Sequence, residues 1–386
     1  MSMSPKTMAK LLMDKVFGTI VESWCRDSSP TTKGLQEPKP LVKVTYDQFR
    51  SMIPAMHVSK HHPSPVIAVV IPCYRARSHI LSVLGKIGPE VSLIVVVDDA
   101  CPEQTGKFVE QMVTDGRLTV TYLETNQGVG GAVLAGYRQA IALGATVLVK
   151  IDGDDQMDPS AIRQFVEPII NGCADYTKGN RFFDLESLKS MPLMRLVGNA
   201  GLSFITKLSS GYWKIMDPTN GYTAIDARIA AILPHDKIAS RYFFESDMLF
   251  RLNTFQAVVE DIPMDAFYGN EKSNLRIKRV LLEFPVQHAI RFFKRIFYTY
   301  LLRDFNAASM QLIVGILLTA SGTIFGLTRW IQYSSTGASA PTGTVLLATI
   351  QIIIGMQCLL AWITHDLNSN PQSPVSTRIS PRTSRR

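Results

Sequence analysis

The sequence predicts an α/β fold, doubly wound about a mostly parallel sheet, with a hairpin of two long apolar helices near its carboxyl end. Three observations carry this. Short β-branched runs ("PVIAVVIP", "VSLIVVVDD", "LTVTYLE", "ATVLVKIDGDD") alternate with helical patterns, the signature of parallel strands covered by helices on both faces. Polar clusters fall where those runs stop, and open sheets of this kind bind ligands beyond the carboxyl ends of their strands. Two uninterrupted apolar runs, "AASMQLIVGILLTASGTIFGL" and "TVLLATIQIIIGMQCLLAWI", follow later. Each is roughly 20 residues, the length that crosses a hydrocarbon core about 30 Å thick.

Residues 1–64 read as an amphipathic helix and a linker. Asp14 and Lys15 interrupt the first apolar pattern, which excludes a clean secretory signal, and "RDSSPTTKGLQEPKP" is polar and proline-rich. Residues 65–274 form the main domain. Between its first strands the periodicity places helices over Arg77–Lys86, Gln104–Val113 and Val129–Leu143. Further on, "MRLVGNAGLSFITKLSSGYW" reads as a helix, "DPTNGYTAID" as a turn entering a strand, and "YFFESDMLFRLN" as another helix. Residues 275–306 mix aromatics with Arg276, Lys278, Arg279, Arg291, Lys294, Arg295 and Arg303, as juxtamembrane amphipathic helices do. The spans occupy 307–364, and the basic "RISPRTSRR" marks 365–386 as a disordered tail.

The chain has 386 residues, 46% of them hydrophobic, and a formal net charge of +8. Such a balance suits nucleic acid or a membrane surface. The basic residues lie before the first span and after the second, whereas "IQYSSTGASAPTG" between them carries none. The positive-inside rule therefore puts both ends of the hairpin, and the main domain, in the cytoplasm of a multi-pass protein, expected in a prokaryotic inner or plasma membrane. The membrane accounts for the charge, and nucleic acid is not needed as a partner. Five cysteines, scattered without metal spacing or a C-x-x-C pair, read as reduced structural thiols.

The chemistry concentrates in "VLVKIDGDDQMDP", where an apolar strand ends in Asp152, Asp154, Asp155 and Asp158. Carboxylates so crowded repel unless something positive is expected. Asp152 and Asp154 offer hard oxygen ligands from one turn, suited to Mg²⁺ or Mn²⁺ shared with substrate phosphates. A calcium-binding loop fails, because Met157 stands where glycine is needed and Arg163 where the closing glutamate belongs. An N-cap explains Asp158-Pro159 but not the first two aspartates. "NQGVGGAVLAGY" follows the third strand rather than the first, and Val133 replaces the third glycine of a dinucleotide fingerprint. Backbone lying close to a ligand or to the metal loop is the expectation there.

"VVIPCYRARSHI", "VVVDDACPEQT", "NQGVGGAVLAGY", "KIDGDDQMDP" and "TKGNRF" occur in the order found in glycosyltransferase family 2. More narrowly the set resembles the polyprenyl-phosphate glycosyltransferases, over about Val66 to Leu275. The resemblance implies a GT-A fold, a divalent cation (Mg²⁺ or Mn²⁺), and inverting transfer of a sugar from a nucleotide diphosphate to a lipid phosphate. It puts Pro72, Tyr74 and Asp99 against the nucleotide base and ribose, with Asp98 beside them. Asp152, Asp154 and Gln156 match the metal and diphosphate motif. Arg181 matches an arginine near the donor or acceptor phosphates, and Arg195 a second one. Asp217 in "DPTNGY" resembles the turn shaping the sugar pocket. Glu245 and Asp247 in "FFESDML" sit where members place a sugar-binding carboxylate or a base, and "YGNEKSNL" resembles the closing segment, nominating Lys272. The pattern departs where Arg75-Ala76 follows Tyr74 in place of an acidic residue. Membrane members of the family also suggest a homo-oligomer built through the surface helices.

Cleavage of the sugar–diphosphate bond leaves negative charge on the departing phosphate, which a bound divalent cation offsets. A phosphate acceptor is already anionic and needs nearby cations, for which Arg181, Arg195 and Lys272 are the candidates, more than it needs a base. A processive polysaccharide synthase is disfavoured, because the Arg329-Trp330 pair has no glutamine three residues before it. Two alternatives stand beside the lipid-phosphate reading. One is transfer to a hydroxyl of a lipid-linked oligosaccharide or polysaccharide, which calls for a base such as Asp247. The other is a non-catalytic, nucleotide-binding membrane assembly protein.

Overall fold

The computed structural model describes residues 64–183, 193–264 and 277–379. The expected amino-terminal helix and linker, and Lys272, lie outside the described residues. Seven strands form one sheet in the order β3-β2-β1-β4-β6-β5-β7. They are β1 (Ile67–Cys73), β2 (Leu93–Asp98), β3 (Leu118–Tyr122), β4 (Val147–Lys150), β5 (Tyr176–Asn180), β6 (Thr223–Asp226) and β7 (Val259–Pro263). β6 runs antiparallel to both of its neighbours, and every other pairing is parallel. The carboxyl ends of six strands therefore share one edge, and the loop entering β6 arrives at that same edge.

The first half follows the sequence rhythm: α1 (Ile80–Gly85), α2 (Thr105–Met112) and α3 (Gly128–Ala142) link β1 to β4. Then come α4 (Ile162–Ile170), α5 (Leu193–Ser210), α6 (Ala227–Ile232) and α7 (Phe244–Thr254). Strand alternation divides the core in two. Ala68, Val70, Val95 and Val97 face α3 and α7, whereas Val69, Ile71, Ile94 and Val96 face α1 and α4. β5 and β7 were not expected as separate strands. Their sequences, Tyr-Thr-Lys-Gly-Asn and Val-Glu-Asp-Ile-Pro, break the apolar pattern because β5 buries a polar row and β7 is an edge.

Beyond the sheet, α8 (Ile277–Ile296) continues into a π-helical stretch, Phe297–Arg303, before α9 (Ala307–Thr336) and α10 (Thr342–Asn368). Both of the last two are long and apolar enough to cross a membrane. They pack through small residues. A Cβ at Gly315 would lie 2.8 Å from Leu359, and one at Gly355 2.5 Å from Thr319. α8 and the π-helical stretch expose Val286, Phe293, Phe297 and Leu302, the apolar surface expected of juxtamembrane helices.

The tail differs from expectation. Asp366 is still helical, and residues 375–379 fold back onto the sheet rather than trailing away. Val375 and Ser376 donate backbone N–H bonds of 2.9 and 2.7 Å to the buried Asp175, and Val375 and Ile379 pack on the core. Asp366 itself binds Arg295 through both oxygens (2.7 and 3.0 Å), Tyr300 (2.7 Å) and Trp213 (2.9 Å), tying α10 to α8, the π-helical stretch and the turn after α5.

Candidate active site

Strain gathers at the shared edge. Of the five described non-glycine residues with left-handed backbone, Arg75, Ala100, Gln104 and Asp155 sit in the loops after β1, β2 and β4. Backbone of this kind costs about 1–3 kcal/mol per residue and persists where a site requires it. At the end of β1, Pro72 is half-buried and lies past the last pairing with β4, so its missing N–H costs the ladder nothing there. Tyr74 is 47% exposed, with the Arg75 guanidinium 5.5 Å from its ring centre. The pair presents an aromatic face and a cation at the mouth.

Asp98 and Asp99 are buried and build the loops. Asp98 accepts from Cys101 and Gly106 N–H, both at 2.7 Å, bracing the entry to α2. Asp99 accepts from Gln127 and Gly128 N–H at 2.7 and 2.8 Å, bracing the start of α3. The glycines that follow do not admit a ligand. A Cβ at Gly130 would lie 2.6 Å from the Ala239 carbonyl and the Phe244 ring, and Gly131 donates to Ser240, so this backbone lies against the approach to α7. The expectation of a ligand or the metal loop there is corrected accordingly.

At the end of β4, Asp152, Asp154 and Gln156 are all half-buried on one turn. The Gln156 N–H donates to Asp154 at 3.2 Å. Asp155 turns away to Lys86 (2.8 Å) and Ser82 (2.7 Å), and Asp158 caps Ser160 as expected. Among the described residues no three His, Cys, Asp or Glu side chains stand close enough to hold a metal on their own. Asp152 has an ammonium beside it: Lys150 Nζ lies 2.9 Å from its Oδ1 and 3.4 Å from Glu245 Oε1. Two carboxylates and an amide oxygen from one turn fit part of the shell of a hard cation that completes it with phosphate oxygens.

A buried polar row underlies this edge. Lys150, Thr223, Lys178 and Asp261 stand directly opposite one another across β4, β6, β5 and β7, and so share a face. Burial alone depresses the Lys150 ammonium, but Asp152 and Glu245 outweigh it and hold the group above its ordinary value. Burial pulls Lys178 down to about 8, against the opposing pull of Glu245 and Asp217; its ammonium donates to the Asn220 carbonyl. Burial likewise pushes the Asp261 carboxyl up to about 6. Sequence reasoning missed both lysines. The signal was there, since a lysine ends the apolar run "VLVK" and another sits within "YTKGN".

Arg181 and Asp217 meet. Arg181 Nε donates to Oδ2 at 2.7 Å and Nη2 to Oδ1 at 3.1 Å, and Asp217 is fully buried. The buried carboxylate thus fixes the guanidinium just past the carboxyl end of β5, at the same edge of the sheet at which Asp152 and Asp154 follow β4. Glu245, in the first turn of α7, reaches the same edge through Lys150. Asp247, two residues on, does not. It is fully buried, accepts from Ala239 N–H (2.8 Å) and Arg291 (2.9 Å), and lies 3.8 Å from Arg251, which removes it from the role of a base. Arg195 belongs to α5, with its side chain outside the described residues.

Residues 68–232 match the family described as Glycosyl transferase family 2. Similar curated proteins include a UDP-N-acetylglucosamine–dolichyl-phosphate N-acetylglucosaminyltransferase of Methanococcus voltae, 29% identical over 59% of this chain and 96% of that one. Others are an undecaprenyl-phosphate mannosyltransferase of Micrococcus luteus, 28% identical over 51% and 82%, and a polyprenol monophosphomannose synthase of Mycolicibacterium smegmatis, 28% over 51% and 76%. Among solved structures, the UDP complex of Mycobacterium tuberculosis glucosyl-3-phosphoglycerate synthase overlaps 60% of this chain and 80% of its own, at 19% identity and a TM-score of 0.45. The chain therefore carries a glycosyl transferase family 2 domain over residues 68–232, and the protein is a glycosyltransferase.

Proposed function

We propose that the protein moves a sugar from a nucleotide-diphosphate sugar to a polyprenyl phosphate at the cytoplasmic face of a membrane. The observation that carries this reading is one edge holding two oxygen-ligand aspartates and a locked guanidinium, in a chain that also carries an apolar helical hairpin. The names of the similar proteins, each acting on a polyprenyl or dolichyl phosphate, support the acceptor.

In this reading the base stacks on Tyr74 beside Pro72, in a mouth whose shape Asp98 and Asp99 maintain. Asp152, Asp154 and Gln156 would hold Mg²⁺ or Mn²⁺, which supplies positive charge to the departing diphosphate. Arg181 offsets the charge of two meeting phosphates, its direction fixed by Asp217, with Arg195 and Lys272 as further cations. Glu245 reads sugar hydroxyls. A lipid phosphate attacks without surrendering a proton, so the burial of Asp247 supports a phosphate acceptor over a hydroxyl. Docking of the tail on Asp175 supports the return of the hairpin to the side of the catalytic sheet. The excess of Lys and Arg at that end, against Arg329 near the far end, supports the cytoplasm as that side.

The test incubates detergent-solubilised protein with polyprenyl phosphate and a panel of nucleotide sugars, with Mn²⁺, Mg²⁺ or chelator. A metal-dependent glycolipid from one donor, absent with Asp154→Asn, is the expected result. Transfer to a lipid-linked oligosaccharide alone would replace the acceptor and make Glu245 the carboxylate to examine. Nucleotide binding without any transfer would favour the assembly-protein alternative.

A further inference from the structure

We propose that Lys150 makes the divalent cation and the nucleotide diphosphate bind as a unit, because in the protein alone its ammonium already serves as the counter-ion of Asp152. The inference rests on the donor site of the preceding section.

Lys150 is the last residue of β4 and is 1% exposed. Its ammonium lies 2.9 Å from Asp152 and 3.4 Å from Glu245, so it bridges two carboxylates from different elements. The loop entering β6 also lies against the pair. A Cβ at Gly221 would lie 2.5 Å from Lys150 Nζ and 2.6 Å from Asp152 Oδ2, so the backbone there passes close to both side chains. Lys150 is thus enclosed beside Asp152, and its charge is part of the site.

A divalent cation on Asp152 would share that carboxylate with an ammonium, and like charges at such range repel. Among the described residues no three carboxylates, histidines or cysteines are grouped closely enough to hold the ion by themselves. A diphosphate brings both missing quantities, oxygen ligands and negative charge. Affinity for the metal is therefore low until the diphosphate arrives, and by linkage each strengthens the other by the same factor. Lys150 acts through Asp152, as a positioning residue, so metal binding rather than turnover is the proper readout.

The experiment measures Mn²⁺ binding to the full chain in detergent by electron paramagnetic resonance, with and without UDP or GDP, corrected for Mn²⁺ bound to free nucleotide. Wild type is expected to bind Mn²⁺ about tenfold or more tighter with the matching nucleotide, within the usual range of coupling between sites. Lys150→Met, which leaves Asp152 and Glu245 without their cation, should bind Mn²⁺ more tightly than wild type in the absence of nucleotide, with the coupling reduced. Asp154→Asn should weaken Mn²⁺ binding in both conditions. The wild-type comparison stands even if Lys150→Met does not fold. Equal Mn²⁺ affinity with and without a bound nucleotide would overturn the inference while leaving the donor site intact. No tighter binding by a folded Lys150→Met would do the same. Failure of both nucleotides to bind under any condition would instead remove the donor-site reading, and the inference with it.

Discussion

Asp217 is a fully buried carboxylate bonded to Arg181 in two places, at 2.7 and 3.1 Å. Removing one member of such a pair strands the other, at about 3–5 kcal/mol, far more than the pair contributes net. Arg181→Ala is therefore expected to lower thermal stability as well as transfer, and Arg181→Lys to restore neither, because a point charge cannot reproduce the two-pronged contact. A double-mutant cycle with Asp217→Asn should be strongly non-additive, and simple additivity would show that the two act separately. Asp261 offers a pH test. Burial raises its carboxyl to about 6 from an ordinary value of 3.8, so the folded state holds the proton more firmly than the unfolded one. Its contribution is fully favourable below the ordinary value and is lost as pH rises through about 6. Asp261→Asn should thus gain stability relative to wild type between pH 4 and 7, by on the order of 2 kcal/mol, in denaturation measured across that range. A pH-independent difference would refute this assignment.

At the scale of elements, α7 divides its acids. Glu245 and Asp247 are two residues apart, roughly 200° around a helix, so they face opposite ways. One meets Lys150 at the site and the other meets Arg291 of α8. Asp247→Asn should loosen the joint between α7 and α8, lowering the melting temperature while leaving Mn²⁺ binding in the presence of nucleotide unchanged. Glu245→Gln should do the reverse, changing donor kinetics with little effect on melting. The same element shows where sequence reasoning stops. "FFESDML" reveals a helix with two acids near a site, but both faces of α7 are buried, so no apolar stripe sets its rotation. The aspartates after β4 stood out in the sequence because the capping role that explains Asp158 does not extend to Asp152 and Asp154. The glycines of α3 misled, since room for a neighbouring backbone and room for a ligand leave the same small residues.

At the scale of the molecule, the two apolar helices were legible from length alone, whereas the fixed tail was not. Serine, proline and arginine read as disorder, and two backbone N–H groups meeting a buried carboxylate leave no mark in composition. Asp175 also accepts from Val258 N–H at 2.8 Å. Deleting residues 373–386 would leave it that donor and its burial, so the truncated chain is expected to melt several degrees lower with its helical hairpin retained, as read by circular dichroism. An unchanged melting temperature would show that the tail is not part of the fold. The central claim, that this scaffold brings a nucleotide sugar to a lipid phosphate, is tested most directly by the mass of the lipid product. Purified protein, one active donor, polyprenyl phosphate and Mn²⁺ should yield a lipid heavier than the acceptor by a single dehydrated sugar, with release of nucleoside diphosphate. An unaltered polyprenyl phosphate, from protein that turns the same donor over onto another acceptor, would contradict it.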